Sequence, residues 1–312
     1  MSPRGLVMPC VNFKPLKVAE MLATLDIGGT KVAAALTQSG RVLERRQLPM
    51  VSQREDLQPL LASLLQGWEG IQKIGVATTG YVQQGRVYSV NHDIIGFWNG
   101  LPLQDILRSI CDVPVVMLND AQAAAWGEYL ARQQDGNGPA DLMFITLSTG
   151  IGGGLVLNHR LRTGQAGLAG HIGHIPSHIR SMDGQLRCGC GQTGCLELIA
   201  SGTGLARQAS TLMGETCDSR SLFMLAQQHP AAERLIQHAA DAVAAMLASQ
   251  HLALDLQEIV IGGSVGMAPG MLERIQRAFS RIPIPAAPVI SAARCGADAG
   301  LAGIMHWAGA RS

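Results

Sequence analysis

From Leu22 onward, short apolar runs are separated by turns rich in glycine. Leu22 to Ile27 is apolar apart from Thr24 and Asp26, Gly28-Gly29 interrupts it, and Val32 to Leu36 is apolar again, so the pattern predicts a hairpin of two buried strands. Thr146-Leu147-Ser148-Thr149-Gly150-Ile151-Gly152-Gly153-Gly154-Leu155-Val156 repeats the design. Thr24-Leu25-Asp26 is echoed by Thr146-Leu147-Ser148, and the echo predicts two similar halves. Ile74 to Thr78 and Val113 to Leu118 read as further buried strands. The alanine-rich stretch from Asn119 to Gln134 reads as a helix that Asn119 caps, which puts Asp120 where a strand becomes a helix. Helical stretches follow at Leu196 to Met213 and Ala231 to Leu252, then a strand ending in glycines, Glu258 to Ser264, and a last helix from Asp298 to Ala308. Strands alternating with helices predict an α/β protein, whose ligands bind beyond the carboxyl ends of its strands, where these glycine turns cluster.

Length and charge narrow the class. At 312 residues the chain is long enough for two cores. A formal charge of +1 gives no field of one sign to attract a nucleic-acid backbone or an anionic membrane, so neither is expected as a partner. No apolar run is long enough to span a bilayer, and Pro3, Pro9 and Pro15 break the segment ahead of Met21, so a cytoplasmic location is expected. The expectation for residues 1–21 is a disordered extension or an artefact of start-site choice.

Glycine turns let backbone N–H groups approach phosphate oxygens, so Asp26-Ile27-Gly28-Gly29-Thr30-Lys31 reads either as a nucleotide site or as a tight turn with a solvated lysine. Two more turns, Ser148 to Gly154 and Gly262-Gly263-Ser264-Val265-Gly266, favour the nucleotide reading. None fits the Walker pattern or a dinucleotide fingerprint. Asp120, at a helix start, suits a base that accepts a hydroxyl proton during phosphoryl transfer, although Asn119-Asp120 would serve equally as a helix cap. Cys188, Cys190 and Cys195 crowd into one short glycine-spaced loop, which in a reducing compartment suggests a metal ion held with a fourth ligand. His171, His174 and His178 are the nearby choices, and spacing does not decide among them.

Asp26 to Lys31, Asn119-Asp120 and Ser148 to Gly154, in this order, resemble the ROK family of actin-like sugar kinases, with similarity from about Leu22 to Ala308. The resemblance implies two lobes of ribonuclease-H-like topology with a zinc-stapled loop, with Mg-ATP lying across the cleft between them and the sugar deeper at the hinge. The expected small lobe spans 22–118 joined by 292–312, and the large lobe spans 119–291 with its zinc loop at 171–197. It implies Asp120 as catalytic base, with Asp26, Gly28, Gly29, Thr30, Lys31, Thr149, Gly150, Gly152, Gly262, Gly263 and Ser264 around the phosphates and Mg2+. Gly80, Asn91, Asn119, Asp120, His171, His174 and Glu197 are the implied sugar contacts, and His174 with the three cysteines the implied ligands of a structural Zn2+. A homodimer is also implied.

His171 stands where glucokinase-like members carry a glutamate, and Gly167 to His174 instead resembles the bacterial N-acetylmannosamine kinases of the family. Transfer to the 6-hydroxyl of that sugar, in sialic acid catabolism, is the expected reaction. Glucose or another N-acetylhexosamine as acceptor is the alternative. A sugar-responsive regulator is the distant one, since about twenty residues precede the first hairpin, too few for a helix-turn-helix domain.

Overall fold

The computed structural model describes residues 20–91 and 96–310, so the expectation for the N-terminal extension lies almost wholly outside the described residues. The chain forms two compact units. The first comprises residues up to Gly138, Leu161–Ala169 and the C-terminal segment from Ala297; the second comprises Pro139–Arg160 and Gly170–Gly296. The boundary thus follows the alanine-rich helix at Gly138 and does not precede it at Asn119.

Along the first unit run β1 (Met21–Ile27), β2 (Lys31–Gln38), β3 (Arg41–Pro49), α1 (Leu57–Leu65), β4 (Lys73–Thr78), the short strands β5 (Tyr81–Gln83), β6 (Arg86–Tyr88) and β7 (Asn99–Leu101), α2 (Leu103–Ile110), β8 (Val115–Asn119) and α3 (Asp120–Gln133). The second unit begins with β9 (Leu142–Leu147) and β10 (Ile151–Leu157), and Arg160, its last residue before Leu161, opens β11 (Arg160–Arg162). It continues through α4 (Glu197–Ala200), α5 (Gly202–Met213), α6 (Ser219–Leu225), α7 (Pro230–Leu254), β12 (Glu258–Gly262), α8 (Gly263–Gly266), α9 (Met271–Ser280) and β13 (Val289–Ala292). The last helix, α10 (Ala299–Gly309), belongs to the first unit.

The internal echo has a structural counterpart. The main sheet of the first unit has the order β3-β2-β1-β4-β8, and that of the second β11-β10-β9-β12-β13. In each, a central strand pairs antiparallel with the strand after its glycine turn and parallel with the next strand, β1 with β2 and β4, β9 with β10 and β12. These mixed sheets bury apolar strands: every residue of β4 is buried, as are Ile259, Val260 and Ile261 of β12. Among the described residues no helix is long and apolar enough to cross a membrane.

Two boundaries differ from the pattern-based expectation for local reasons. β8 begins at Val115, beyond Pro114, whose carbonyl accepts from Ile74 while its nitrogen has no proton to give. The stretch expected as one helix from Leu196 to Met213 is broken at Ser201, which is extended (φ −74°, ψ 160°) and caps α5 by accepting from the Gly204 amide at 2.9 Å.

Helix α10 lies tight against α3. A Cβ on Gly303 would stand 1.7 Å from the Ala123 carbonyl oxygen, and one on Gly127 would stand 2.7 Å from the Ala299 carbonyl oxygen. On its other side α10 meets β4, where a Cβ on Gly75 would fall 3.1 Å from that of Ala308. Only glycine permits this backbone approach. Gly303→Ala should therefore destabilise the chain by at least about 2 kcal/mol in urea unfolding through forced overpacking. An unchanged midpoint would contradict the packing.

Candidate active site

In the first unit the β1–β2 turn is closed by the Gly28 amide donating to the Lys31 carbonyl at 3.0 Å, and Gly29, Thr30 and Lys31 are exposed. Asp26 is the residue before Ile27 at the end of β1. Asp120 opens α3, directly after the carboxyl end of β8, which pairs with β4, the neighbour of β1. Asn119 caps α3, its Oδ1 accepting from the Gln122 amide at 3.1 Å. Its Nδ2 donates to the Gly80 carbonyl at 2.8 Å and to Asp120 Oδ1 at 2.9 Å, so one side chain draws together Gly80, Asn119 and Asp120. Capping and site-building coexist here. The Ala121 amide donates to the same Asp120 oxygen at 2.8 Å. The Asn91 carbonyl accepts from the Ser89 hydroxyl.

Both aspartates are half-buried at the surface and closely enclosed by protein. Burial raises Asp120 to about 7, the nearby Asp26 carboxylate adds to the rise, and the Ala121 amide and Asn119 side chain oppose it. Burial likewise raises Asp26 to about 6 against the opposing charges of Lys31 and Arg45, while Asp298 adds to the rise. Asp298 pairs with Arg45 at 2.9 Å. Two carboxylates held near neutrality need a cation or a proton to coexist.

The second unit brings two of the glycine turns side by side. A Cβ on Gly263 would lie 2.3 Å from the Leu147 carbonyl oxygen, and the hydroxyls of Ser148 and Ser264 are 3.3 Å apart. Thr149 and Gly150 form the β9–β10 turn, whereas Gly152 lies in β10 opposite Thr146. The Ser148 amide donates to the Gly150 carbonyl at 2.9 Å and the Ile151 amide to Glu197 Oε2 at 3.0 Å, so two of its N–H groups are already engaged.

His174 closes a single 3-10 turn, Ile172–His174, which presses on β10: a Cβ on Gly173 would fall 2.3 Å from the Ile151 carbonyl oxygen. His174, Cys188, Cys190 and Cys195 converge, each offering one ligand atom, all within 4.8 Å of one another. Nδ1 is the ring nitrogen facing the cysteines, 3.6 Å from Cys188 Sγ. Cys188, Cys190 and Cys195 carry free thiols, with Cys190 and Cys195 sulfurs 3.6 Å apart. Burial holds the His174 imidazole below its ordinary value against the pull of Glu197, and burial pushes the Cys188 and Cys195 thiols up. Three sulfurs and a neutral imidazole at this spacing suit a tetrahedral zinc ion, whose charge would offset the cost of ionising buried thiols.

Several supporting residues carry no signal in the sequence. Thr203 fastens the Thr149 carbonyl with its amide at 3.1 Å and its hydroxyl at 3.0 Å. Arg207 holds Asp183 at 2.6 Å, bracing the loop that leads to Cys188, and also donates to the Leu198 carbonyl. Gln122 donates to the carbonyls of Thr163, Gly167 and Ala169, fixing the loop ahead of His171 to α3. A polar residue beside a glycine turn is the one hint available, and it is shared by many loops.

A family model described as the ROK family matches residues 22–311. The N-acetylmannosamine kinase of Yersinia pseudotuberculosis serotype O:1b (strain IP 31758) is 42% identical over 289 residues, covering 91% of this chain and 97% of that protein. Among solved structures, a ROK hexokinase from Thermus thermophilus aligns with a TM-score of 0.77 and 35% identity over 91% of this chain and 96% of its own. A ROK family glucokinase from Streptomyces griseus, in complex with glucose and AMPPNP, aligns with a TM-score of 0.76 and 31% identity over 92% and 99%.

The raised value of Asp120 has a consequence for stability. A carboxyl that binds its proton more tightly folded than unfolded stabilises the fold at low pH and loses that contribution as pH rises through the folded value. Ionising Asp120 therefore destabilises the chain as pH climbs from about 4 to about 7. Asp120→Asn should be more stable than wild type at pH 8, on the order of 1–3 kcal/mol in urea unfolding, and nearly equal to it at pH 4. Equal stability at both pH values would contradict the enclosure of this carboxylate.

Proposed function

Because the chain belongs to the ROK family, we propose that it is an ATP-dependent kinase that phosphorylates the 6-hydroxyl of N-acetylmannosamine in the cytoplasm, as a step of sialic acid catabolism. The observation that carries phosphotransfer is the Gly80–Asn119–Asp120 group, a hydrogen-bonded carboxylate raised to about 7 at a strand-to-helix junction. The acceptor reading is supported by the 42% identity to an N-acetylmannosamine kinase and by His171, where glucokinase-like members carry glutamate. The matching strand orders of the two units support an actin-like, ribonuclease-H-like reading of the fold.

Phosphoryl transfer needs a positioned acceptor, neutralised phosphate charge and a base for the departing proton. Asp120 takes that base role, ionised near neutral pH and held in one rotamer by Asn119 and the Ala121 amide. Asn119 orients the acceptor hydroxyl, with Gly80 and Asn91 as further sugar contacts. Asp26 stands with Lys31 and the glycine turns among the phosphates, and its burial beside Asp120 suits it to a cation. Magnesium bound with the nucleotide supplies charge neutralisation there.

His174 offers Nδ1 to the metal loop and Nε2 to a sugar hydroxyl, with His171, three residues before it, and Glu197, whose charge acts on its imidazole, as further sugar contacts. His174, Cys188, Cys190 and Cys195 would hold the zinc in a structural role, since four protein donors would leave no position for a catalytic water. Its loss loosens the loop that carries the sugar contacts.

A coupled ADP-release assay with N-acetylmannosamine, N-acetylglucosamine, glucose and mannose tests the acceptor. N-acetylmannosamine should give the highest kcat/KM, and a higher value with glucose would reassign it. Asp120→Asn should lower kcat by about 10²–10⁴ while sugar affinity stays within about twofold, and Asp26→Asn should also abolish turnover. A substantial residual rate in Asp120→Asn would remove it as the base. Elemental analysis should find one zinc per chain, depleted in Cys195→Ser; folded, active protein without zinc would exclude the metal assignment.

A further inference from the structure

Glu197 stands at the start of α4, two residues after Cys195, and is buried. Its Oε2 accepts from the Ile151 amide at 3.0 Å, the first residue of β10 after the turn. The turn is shaped around that oxygen: a Cβ on Gly150 would lie 2.8 Å from Oε2. The next residues fasten the turn's other side. The Ser148 carbonyl accepts from the Gly202 amide at 2.6 Å, and the Thr149 carbonyl accepts from the Thr203 amide and hydroxyl at 3.1 and 3.0 Å.

These bonds orient the turn. In a trans peptide the N–H points opposite to the C=O, and the chain has no cis peptide bonds among the described residues. Carbonyls of Ser148 and Thr149 tied toward α5 therefore turn the N–H groups of Thr149 and Gly150 away from it, as a phosphate cradle requires. Without the carboxylate, the buried Ile151 amide would lose its acceptor at the point where the turn joins β10.

We propose that Glu197 is a positioning residue for the nucleotide turn as well as a sugar contact, so that one carboxylate couples the affinities of nucleotide and acceptor. This rests on the kinase reading above. A carboxylate has about four acceptor positions, so the bond to Ile151 leaves capacity for a sugar hydroxyl. A sugar hydroxyl on Glu197 holds the side chain that holds the turn, and by linkage a nucleotide on the turn favours the sugar by the same factor.

Binding of each substrate in the absence of the other separates this from a sugar contact alone. By calorimetry with AMPPNP and magnesium and no sugar, Glu197→Ala should weaken nucleotide binding roughly 5- to 20-fold. Glu197→Gln keeps an acceptor oxygen for Ile151 and should bind nucleotide within about twofold of wild type. Reciprocally, Gly150→Ala, which sets a methyl against Oε2, should weaken N-acetylmannosamine binding roughly fivefold or more without nucleotide present. Wild-type nucleotide affinity in Glu197→Ala, equal losses in the Ala and Gln variants, or wild-type sugar affinity in Gly150→Ala would each overturn the coupling. If Glu197→Ala does not fold, Gly150→Ala decides alone. Wild-type protein that binds no AMPPNP would instead overturn the kinase reading itself.

Discussion

The backbone approach of α10 to α3 and to the first sheet is the constraint on which the chemistry of the first unit depends. At Gly303 the two helices meet without side chains between them, and at Gly300 the same helix passes Asp26, where a Cβ would lie 3.5 Å from Oδ2. One helix therefore sets both the α3 start that bears Asp120 and the enclosure of Asp26. Their shared burial follows, and with it the raised values that keep both carboxylates close to the protonation boundary at neutral pH.

The second unit solves a different problem, which is to hold glycine turns still. Glycine allows backbone to approach phosphate but brings the largest conformational freedom of any residue. Here the turn is restrained by its own neighbours, with carbonyls tied to the Gly202–Thr203 corner, the Ile151 amide to Glu197, and Gly263 pressed on Leu147. Only Leu196, α4 and Ser201 separate Cys195 from that corner, so one short segment connects the cysteine loop to the residues that hold the turn. The Arg207–Asp183 pair braces the other end of that loop. A metal held by the His174 cluster would act on a loop joined through α4 to the residues that shape the turn.

Much of this was legible in the sequence because it rests on local pattern. Alternation of apolar runs and glycine turns placed both hairpins, Asn119 was readable as a cap, and the repeated Thr-Leu motif announced the repeated strand order that the sheets display. The convergence of His174 with the three cysteines was suggested by family resemblance, since spacing alone left His171 and His178 equally open. What stayed hidden depends on contacts between distant residues. Nothing local marks Gly303 or Gly127 as points of helix contact, or sends the Glu197 carboxylate to the Ile151 amide. The break at Ser201 was missed because Gly202-Thr203-Gly204 lies in a stretch of helical periodicity, and the long-range bond to Ser148 overrides it.

Direct observation of the transferred phosphate gives the sharpest test of the account. With ATP, magnesium and N-acetylmannosamine, proton-coupled phosphorus NMR of the product should show a new phosphomonoester split into a triplet, as a phosphate on the methylene-bearing 6-oxygen requires. A doublet would place the phosphate on a ring hydroxyl, and inorganic phosphate with ADP but no phosphomonoester would mean hydrolysis; either would contradict 6-hydroxyl phosphorylation by this chain.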